Sequence, residues 1–191
     1  MDRETELRLV AALQAGDSAA FEIVYGAYRR RLFSFLVRLS RRRDVAEDLL
    51  EETWLRLVER AGALSPDTCL GAWLFTVARN LFIGWCRHRA VDEDRISELT
   101  PAWPSPAPGE SPFESASRTE TEHRLEVALS RLSVRDREVL LLVAGEGFTP
   151  SEAASTLAIP PETLRKRLQR ARERLAAIMG YGPDNWREKA G

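Results

Sequence analysis

The side chains best equipped for chemistry in this chain are cations at helical spacing near its C-terminal end. Between Pro161 and Ala177 stand Arg165, Lys166, Arg167, Arg170, Arg172 and Arg174, against only Glu162 and Glu173. Leu164, Leu168, Ala171 and Leu175 recur at intervals of three and four and define a packing face, which leaves Arg165, Lys166, Gln169, Arg170 and Arg172 on the remaining faces. Guanidinium groups presented in this way can grip phosphates or base edges. The chemistry is recognition rather than bond making. The two histidines, His88 and His123, lie far apart in sequence, and neither stands in a motif with a nucleophile or a carboxylate cluster, so no enzyme activity is expected.

Two elements are needed to hold such a cationic helix. Thr149 suits a helix cap, Pro150 suits a first helical position because its missing N–H costs nothing there, and Glu152 completes a Thr-x-x-Glu capping box. A helix is therefore expected from about Pro150, with Ala153, Ala154 and Leu157 on one face. Ala158 and Ile159 form a short turn, and Pro160 and Pro161 stop one helix and open the next. A small-residue helix crossing a cationic amphipathic helix after so short a turn is the helix-turn-helix pattern, whose second helix enters the DNA major groove. The plainer reading is a solvated basic face on an ordinary helical hairpin.

The 191 residues suffice for one medium domain or two small ones, and 44% hydrophobic with 30% charged residues is a globular composition. Net charge is only −1, which fits nucleic-acid binding only if charge is unevenly spread. It is: basic clusters lie at 29–31, 38–43, 87–89 and 165–174, and the middle of the chain is acidic. Cys69 and Cys86 form no C-x-x-C or Cys/His cluster, so neither a metal site nor a disulfide framework nor any cofactor is expected. The opening MDRETELRLV is charged from its second residue, and no apolar run approaches the ~20 residues of a membrane span; a cytoplasmic protein without membrane insertion is expected.

Periodicity places a first short helix over Glu4–Ala15, with Leu7, Leu9, Val10 and Leu13 as its apolar residues. A longer one, capped by Asp17 or Ser18, carries Phe21, Val24, Tyr25, Tyr28, Leu32, Phe35, Leu36 and Leu39. A third begins near Asp44 with Val45, Leu49, Leu50, Trp54, Leu57 and Val58 inward and Glu47, Asp48, Glu51 and Glu52 outward; acidic residues in its first turns favour the helix dipole, which is the plainer explanation for them. A loop over 61–71 follows, broken by Gly62, Pro66 and Gly71. The next helix has Trp73, Leu74, Val77, Ala78, Leu81 and Trp85 as its packing residues and a cationic end at Arg87, His88 and Arg89. Aromatics interleaved with basic groups can clamp unpaired bases, although Trp73 and Trp85 taken singly read as core. Prolines 101, 104, 106, 108 and 112 mark an acidic linker. The expected fold is all-α: two small helical domains, 1–90 and 122–179, joined by a flexible acidic linker, 91–121, with a tail at 180–191. In the second domain Leu125, Val127, Ala128, Leu129 and Leu132 lead to a helix capped between Ser133 and Asp136 that ends at Gly145 or Gly147.

With both halves in view, the chain resembles the extracytoplasmic-function (ECF) group of bacterial RNA polymerase sigma factors. DVAEDLLEETWLRL looks like the family's second-region helix. AWLFTVARNLFIGWCRHR resembles the helix that reads the minus-ten element, and LSVRDREVLLLVAGEGFTPSEAASTLAIPPETLRKRLQRARERL is similar to the fourth region. The resemblance implies that Glu47, Asp48, Glu51 and Glu52 dock on core RNA polymerase. It implies that the loop 64–70, with Asp67 and Thr68, captures a base flipped from the non-template strand. Leu64 and Leu70 stand there at positions often aromatic in the family, and Ser65-Pro66 where a basic-glycine pair is frequent, so the minus-ten preference is not carried over. Arg79, Asn80 and Arg87 are the implied minus-ten contacts beside the loop. Thr163, Arg165, Lys166, Gln169 and Arg170 are the implied minus-thirty-five contacts. The implied partners are core RNA polymerase, promoter DNA and an anti-sigma factor, and the function is promoter recognition and opening in transcription initiation. A stand-alone helix-turn-helix regulator and a helical protein-binding adaptor are the other two readings.

Overall fold

The computed structural model describes residues 2–93 and 120–181, the side chains of 89–93 excepted. Every regular element among them is helical, in two compact units within 1–102 and 103–191.

The first unit holds α1 (Arg3–Gln14), α2 (Ser18–Ser40), α3 (Arg43–Arg60), a 3-10 turn (Ala61–Ala63) and α4 (Leu70–Glu93). Asp2 caps α1 by accepting from the Thr5 amide at 2.9 Å, and Asp17 caps α2 through Ala19 at 2.8 Å, each side chain satisfying a donor that the first helical turn leaves open. Gly16, at φ 78°, makes the reversal between them. Leu32, Phe35, Leu36 and Leu39 of α2, Leu50 and Leu57 of α3, and Leu74, Phe75, Ala78 and Phe82 of α4 fill the core. Phe35 meets Phe75 edge to face at 5.2 Å between centroids. Full burial of such side chains contributes roughly 1.5–3 kcal/mol each, which is what holds the three helices together.

Several inward assignments are corrected by this packing. Leu7 is exposed and Glu6 is buried, because the inner face of α1 runs Glu6, Leu9, Val10, Leu13. Val58 is 61% exposed: Trp54 and Leu57 already complete the α3 seam, and position 58 turns past it. On α4 the buried apolar side chains are Leu70, Leu74, Phe75, Ala78 and Phe82, leaving Trp73, Val77, Leu81 and Trp85 partly exposed. The inner face of α4 is thus rotated toward α2 and α3 by about one residue from the expected one. Its start at Leu70 also takes two residues from the expected loop.

The second unit holds α5 (Glu120–Ser130), α6 (Val134–Leu140), α7 (Pro150–Leu157) and α8 (Pro161–Met179); α6 runs directly into a π-helical turn, Leu141–Gly145. Ser133 caps α6, its hydroxyl accepting from the Asp136 amide at 3.2 Å. The capping box at α7 is complete: the Thr149 amide donates to Glu152 at 2.8 Å and the Glu152 amide to the Thr149 hydroxyl at 3.2 Å. α7 ends at Ala158 in a left-handed conformation, φ 51°, and Pro161 opens α8. Ala153, Ala154 and Leu157 meet Leu164, Leu168 and Ala171, and the small residues let the two axes approach closely. The last expected packing residue of α8, Leu175, is only partly buried. Arg137, 3% exposed, donates to the carbonyls of Leu129 at 3.0 Å, Ser130 at 3.0 Å and Leu132 at 2.9 Å. A buried guanidinium thereby satisfies the open carbonyls at the end of α5.

α4 continues to Glu93 and α5 begins at Glu120, so both helices reach into the stretch expected as a linker. The remainder of that stretch, 94–119, and the tail from 182 lie outside the described residues.

Candidate functional site

In the second unit, all five residues expected to contact DNA lie on the exposed side of α8. Thr163, Arg165, Lys166, Gln169 and Arg170 face solvent, while Leu164, Leu168 and Ala171 are buried against α6 and α7. They fall into two rows. Thr163, Lys166 and Arg170 border a cleft of about 360 Å³ whose other wall is Ser133 and Arg135 at the start of α6; Arg165 and Gln169 form the neighbouring row. Lys166 is paired with Glu162 at 2.7 Å, and the Gln169 amide donates to Glu173 at 3.0 Å, both one turn away along the same helix. Exposed pairs of this kind contribute little, so a phosphate or base edge displaces them at small cost. Arg165 and Arg170 join no ion pair among the described residues. Arg174, in contrast, is bound to the buried carboxylate of Asp136 and fastens α8 to α6. Of the other cations that border the cleft, Arg167 stands among the helix cations read from the sequence but not among the expected DNA contacts, and Arg135 was missed. Arg135 belongs to another helix some thirty residues upstream, and its only signal is a cation two residues after the Ser133 cap.

In the first unit the expected strand-capturing loop is a β-turn. The Thr68 amide donates to the Ser65 carbonyl at 2.9 Å, with Pro66 at the position its fixed φ suits. Leu64 and Leu70 are buried at 7% and 0% exposure and anchor the two ends, while Ser65, Pro66 and Asp67 are exposed and Thr68 is half-buried. The Ser65 hydroxyl donates to the Asp67 carboxylate and, with the loop amide and the nearby Arg3, holds it below the usual carboxylate range. The loop is held from behind by α1. Arg3 donates to the carbonyls of Asp67 at 2.6 Å and Thr68 at 3.4 Å, Gln14 donates to the Leu64 carbonyl at 2.7 Å, and buried Glu6 accepts from the Leu70 amide at 2.8 Å while pairing with Arg3 at 2.9 Å. None of these three α1 residues was singled out from sequence. The available signal was a carboxylate, Glu6, in the apolar register of Leu9, Val10 and Leu13.

Asn80 and Arg87 are exposed and Arg79 is half-buried. At 1.5 Å per residue, Asn80 lies about 15 Å along α4 from Leu70, and Arg87 about 10 Å further. They do not cluster with Asp67 and Thr68 in one pocket. With half-buried Trp73 and Trp85, they spread polar and aromatic groups along a helix, a geometry suited to several nucleotides rather than one.

On α3, Glu47, Asp48 and Glu51 are exposed and Glu52 is half-buried. Because α3 starts at Arg43, all four lie beyond its first turn, where the dipole effect has fallen off, so the dipole does not account for them. Glu47 pairs with Arg43 at 2.9 Å and Glu52 with Arg56 at 2.8 Å; Asp48 and Glu51 join no ion pair among the described residues. Leu55 and Val58, 57% and 61% exposed, continue the Asp48–Glu51 stripe at helical spacing. An acidic stripe running into exposed aliphatic residues is a protein-docking surface in composition, and its apolar half was not recognised from sequence.

The Sigma-70 region 2 family matches residues 24–91, and Sigma-70, region 4 matches residues 122–175. The chain is 34% identical over 161 residues to the ECF RNA polymerase sigma factor EcfG of Rhodopseudomonas palustris, covering 81% of this chain and 85% of that one. It is 30% identical over 180 residues to the ECF sigma factor SigM of Mycobacterium tuberculosis, covering 93% and 86%. Among solved structures, the sigma factor RpoE of Bartonella quintana, in complex with the anti-sigma factor NepR, superposes with a TM-score of 0.68 at 28% identity, covering 84% of this chain and 96% of that one. CnrH, in complex with the cytosolic domain of CnrY, shares the fold with a TM-score of 0.67 at 20% identity, covering 92% and 97%.

Proposed function

Because the chain belongs to the ECF RNA polymerase sigma factors, we propose that its second unit reads the minus-thirty-five element through the exposed rows of α8. Its first unit, on this reading, binds core polymerase through α3 and opens the minus-ten element with α4 and the loop before it. As a sigma factor it binds core RNA polymerase and promoter DNA and directs promoter recognition and opening. Chemistry belongs to the polymerase, so the chain is a specificity subunit, not an enzyme in itself, and works where the polymerase does, in the cytoplasm.

The observation that carries the site assignment is the state of α8. Three arginines there, Arg165, Arg170 and Arg172, are exposed and join no ion pair among the described residues, and two more polar side chains are held only by displaceable surface pairs. Arg has the donor fork for a bidentate guanine contact, and Gln can bridge an adenine edge. Thr163, at the first turn of α8, is placed for a backbone phosphate. On α3, the uncommitted carboxylates of Asp48 and Glu51 and the exposed Leu55 and Val58 suit a basic, partly apolar partner surface. An anti-sigma factor is the regulator we assign, supported by the similarity to RpoE, itself solved with one.

The test is reconstitution of the purified chain with core polymerase and transcription from a randomised promoter library. Selection of a two-part promoter is expected. DNA binding without polymerase-dependent initiation would instead return the chain to the stand-alone regulator.

A further inference from the structure

We infer that α1 is a dedicated support for the strand-capturing loop, with Gln14, Arg3 and Glu6 as positioning residues for promoter opening. This rests on the reading of the 64–70 loop given above. The three side chains grip the loop at both ends and the middle: Leu64 by its carbonyl, Asp67 and Thr68 by theirs, and Leu70 by its amide. All four contacts span fifty or more residues of sequence, so they are tertiary and not a by-product of local turn geometry.

Their chemistry is matched to what each atom lacks. The Leu70 amide is at the start of α4, where helical N–H groups have no intrahelical acceptor; buried Glu6 supplies one and puts a negative charge at the positive end of the helix. Carbonyls in a turn lack donors, and the Arg3 guanidinium reaches two at once. Arg3 also pairs with Glu6, so the contact on the loop tip and the contact on the helix start are one network. A loop fixed before it meets DNA does not have to be ordered when the base arrives, and that saving falls on the step in which the base leaves the stack. α1 itself offers no base contact in this role. It acts through the loop.

Gln14→Glu is nearly isosteric and sets an acceptor against the Leu64 carbonyl; Arg3→Ala removes the two tip contacts together with the pairing to Glu6; Arg3→Lys restores a cation. Asp67→Ala and Thr68→Ala test the loop itself. In the full-length free chain, amide hydrogen exchange across 64–70 is expected to rise in Gln14→Glu and Arg3→Ala while the melting temperature holds. In complex with core polymerase, opening followed by a 2-aminopurine in the non-template minus-ten strand is expected to slow roughly 3- to 10-fold with unchanged closed-complex affinity, and Arg3→Lys to recover part of it. Normal opening by both α1 variants, with slowed opening by Thr68→Ala, overturns the support role and leaves the loop reading intact. Unchanged exchange across the loop overturns it as well. If neither Asp67→Ala nor Thr68→Ala alters opening, the loop reading itself has failed and takes the role of α1 in opening with it.

Discussion

Arg165 and Arg170 differ from Lys166 and Gln169 on α8 in joining no ion pair among the described residues. Lys166 and Gln169 must leave Glu162 and Glu173 before they can reach DNA, whereas the two arginines reach it at no such cost. Truncating Arg170 should therefore be the more damaging change. Arg170→Ala is expected to weaken minus-thirty-five recognition by about 1–3 kcal/mol and to relax preference at one base pair, checked by binding to a panel of single-base operator variants. A second residue links packing to pH. Burial raises the Tyr28 phenol above its ordinary 10.0, with Glu6 adding to the effect and Arg31 opposing it. The folded state then holds that proton more tightly than the unfolded chain. The resulting stability is complete below the unfolded pKa and is lost as pH rises through the folded one. Tyr28→Phe should remove this part of the alkaline loss, seen as a flatter denaturation midpoint between about pH 9 and 11.

Among the elements, the α7–α8 pair was the most legible in the sequence, for a physical reason: its signals are local. A capping box spans four residues and a Pro-Pro break two, so Thr149, Glu152, Pro160 and Pro161 could be placed without knowing what packs on them, and the structure puts α7 and α8 where they indicate. Thr149→Ala should accordingly destabilise the second unit by about 1 kcal/mol, measured by urea denaturation followed through helical circular dichroism. What was not legible depends on partners distant in sequence. Arg137 reads as one more surface cation until the three carbonyls around it are known. Glu6 and Val58 defeat a hydropathy pattern for the same reason in opposite senses. A carboxylate can go inside when an amide 64 residues away needs an acceptor, and a valine can stay outside when its helix seam is already full. Leu70, Phe75 and Phe82 were hidden by an error of phase: in a helix with apolar residues nearly all round, the face cannot be fixed until the helix start is known.

On the scale of the whole chain, a net charge of −1 conceals an uneven spread: cations are displayed on α8, proposed for DNA, and Asp48 and Glu51, which join no ion pair among the described residues, on α3, proposed for core polymerase, in different units. The two interactions should separate on mutation. Asp48→Arg is expected to weaken core-polymerase binding roughly tenfold or more, since it sets a cation against a surface chosen for acids, while leaving promoter-fragment binding by α8 unchanged; fluorescence anisotropy with labelled core and labelled DNA measures both. Among the described residues no helix is long and apolar enough to cross a membrane.

The contacts from α1 to the loop have a further property: every one of them ends on a main-chain atom. A grip on carbonyls and an amide is indifferent to which side chains the gripped residues carry. The mounting and the reading surface are thus separate parts, and the exposed letters between the two buried leucines are free to be rewritten without loosening the mount. A loop exchanged between family members should keep its shape on this support and bring its own base preference with it.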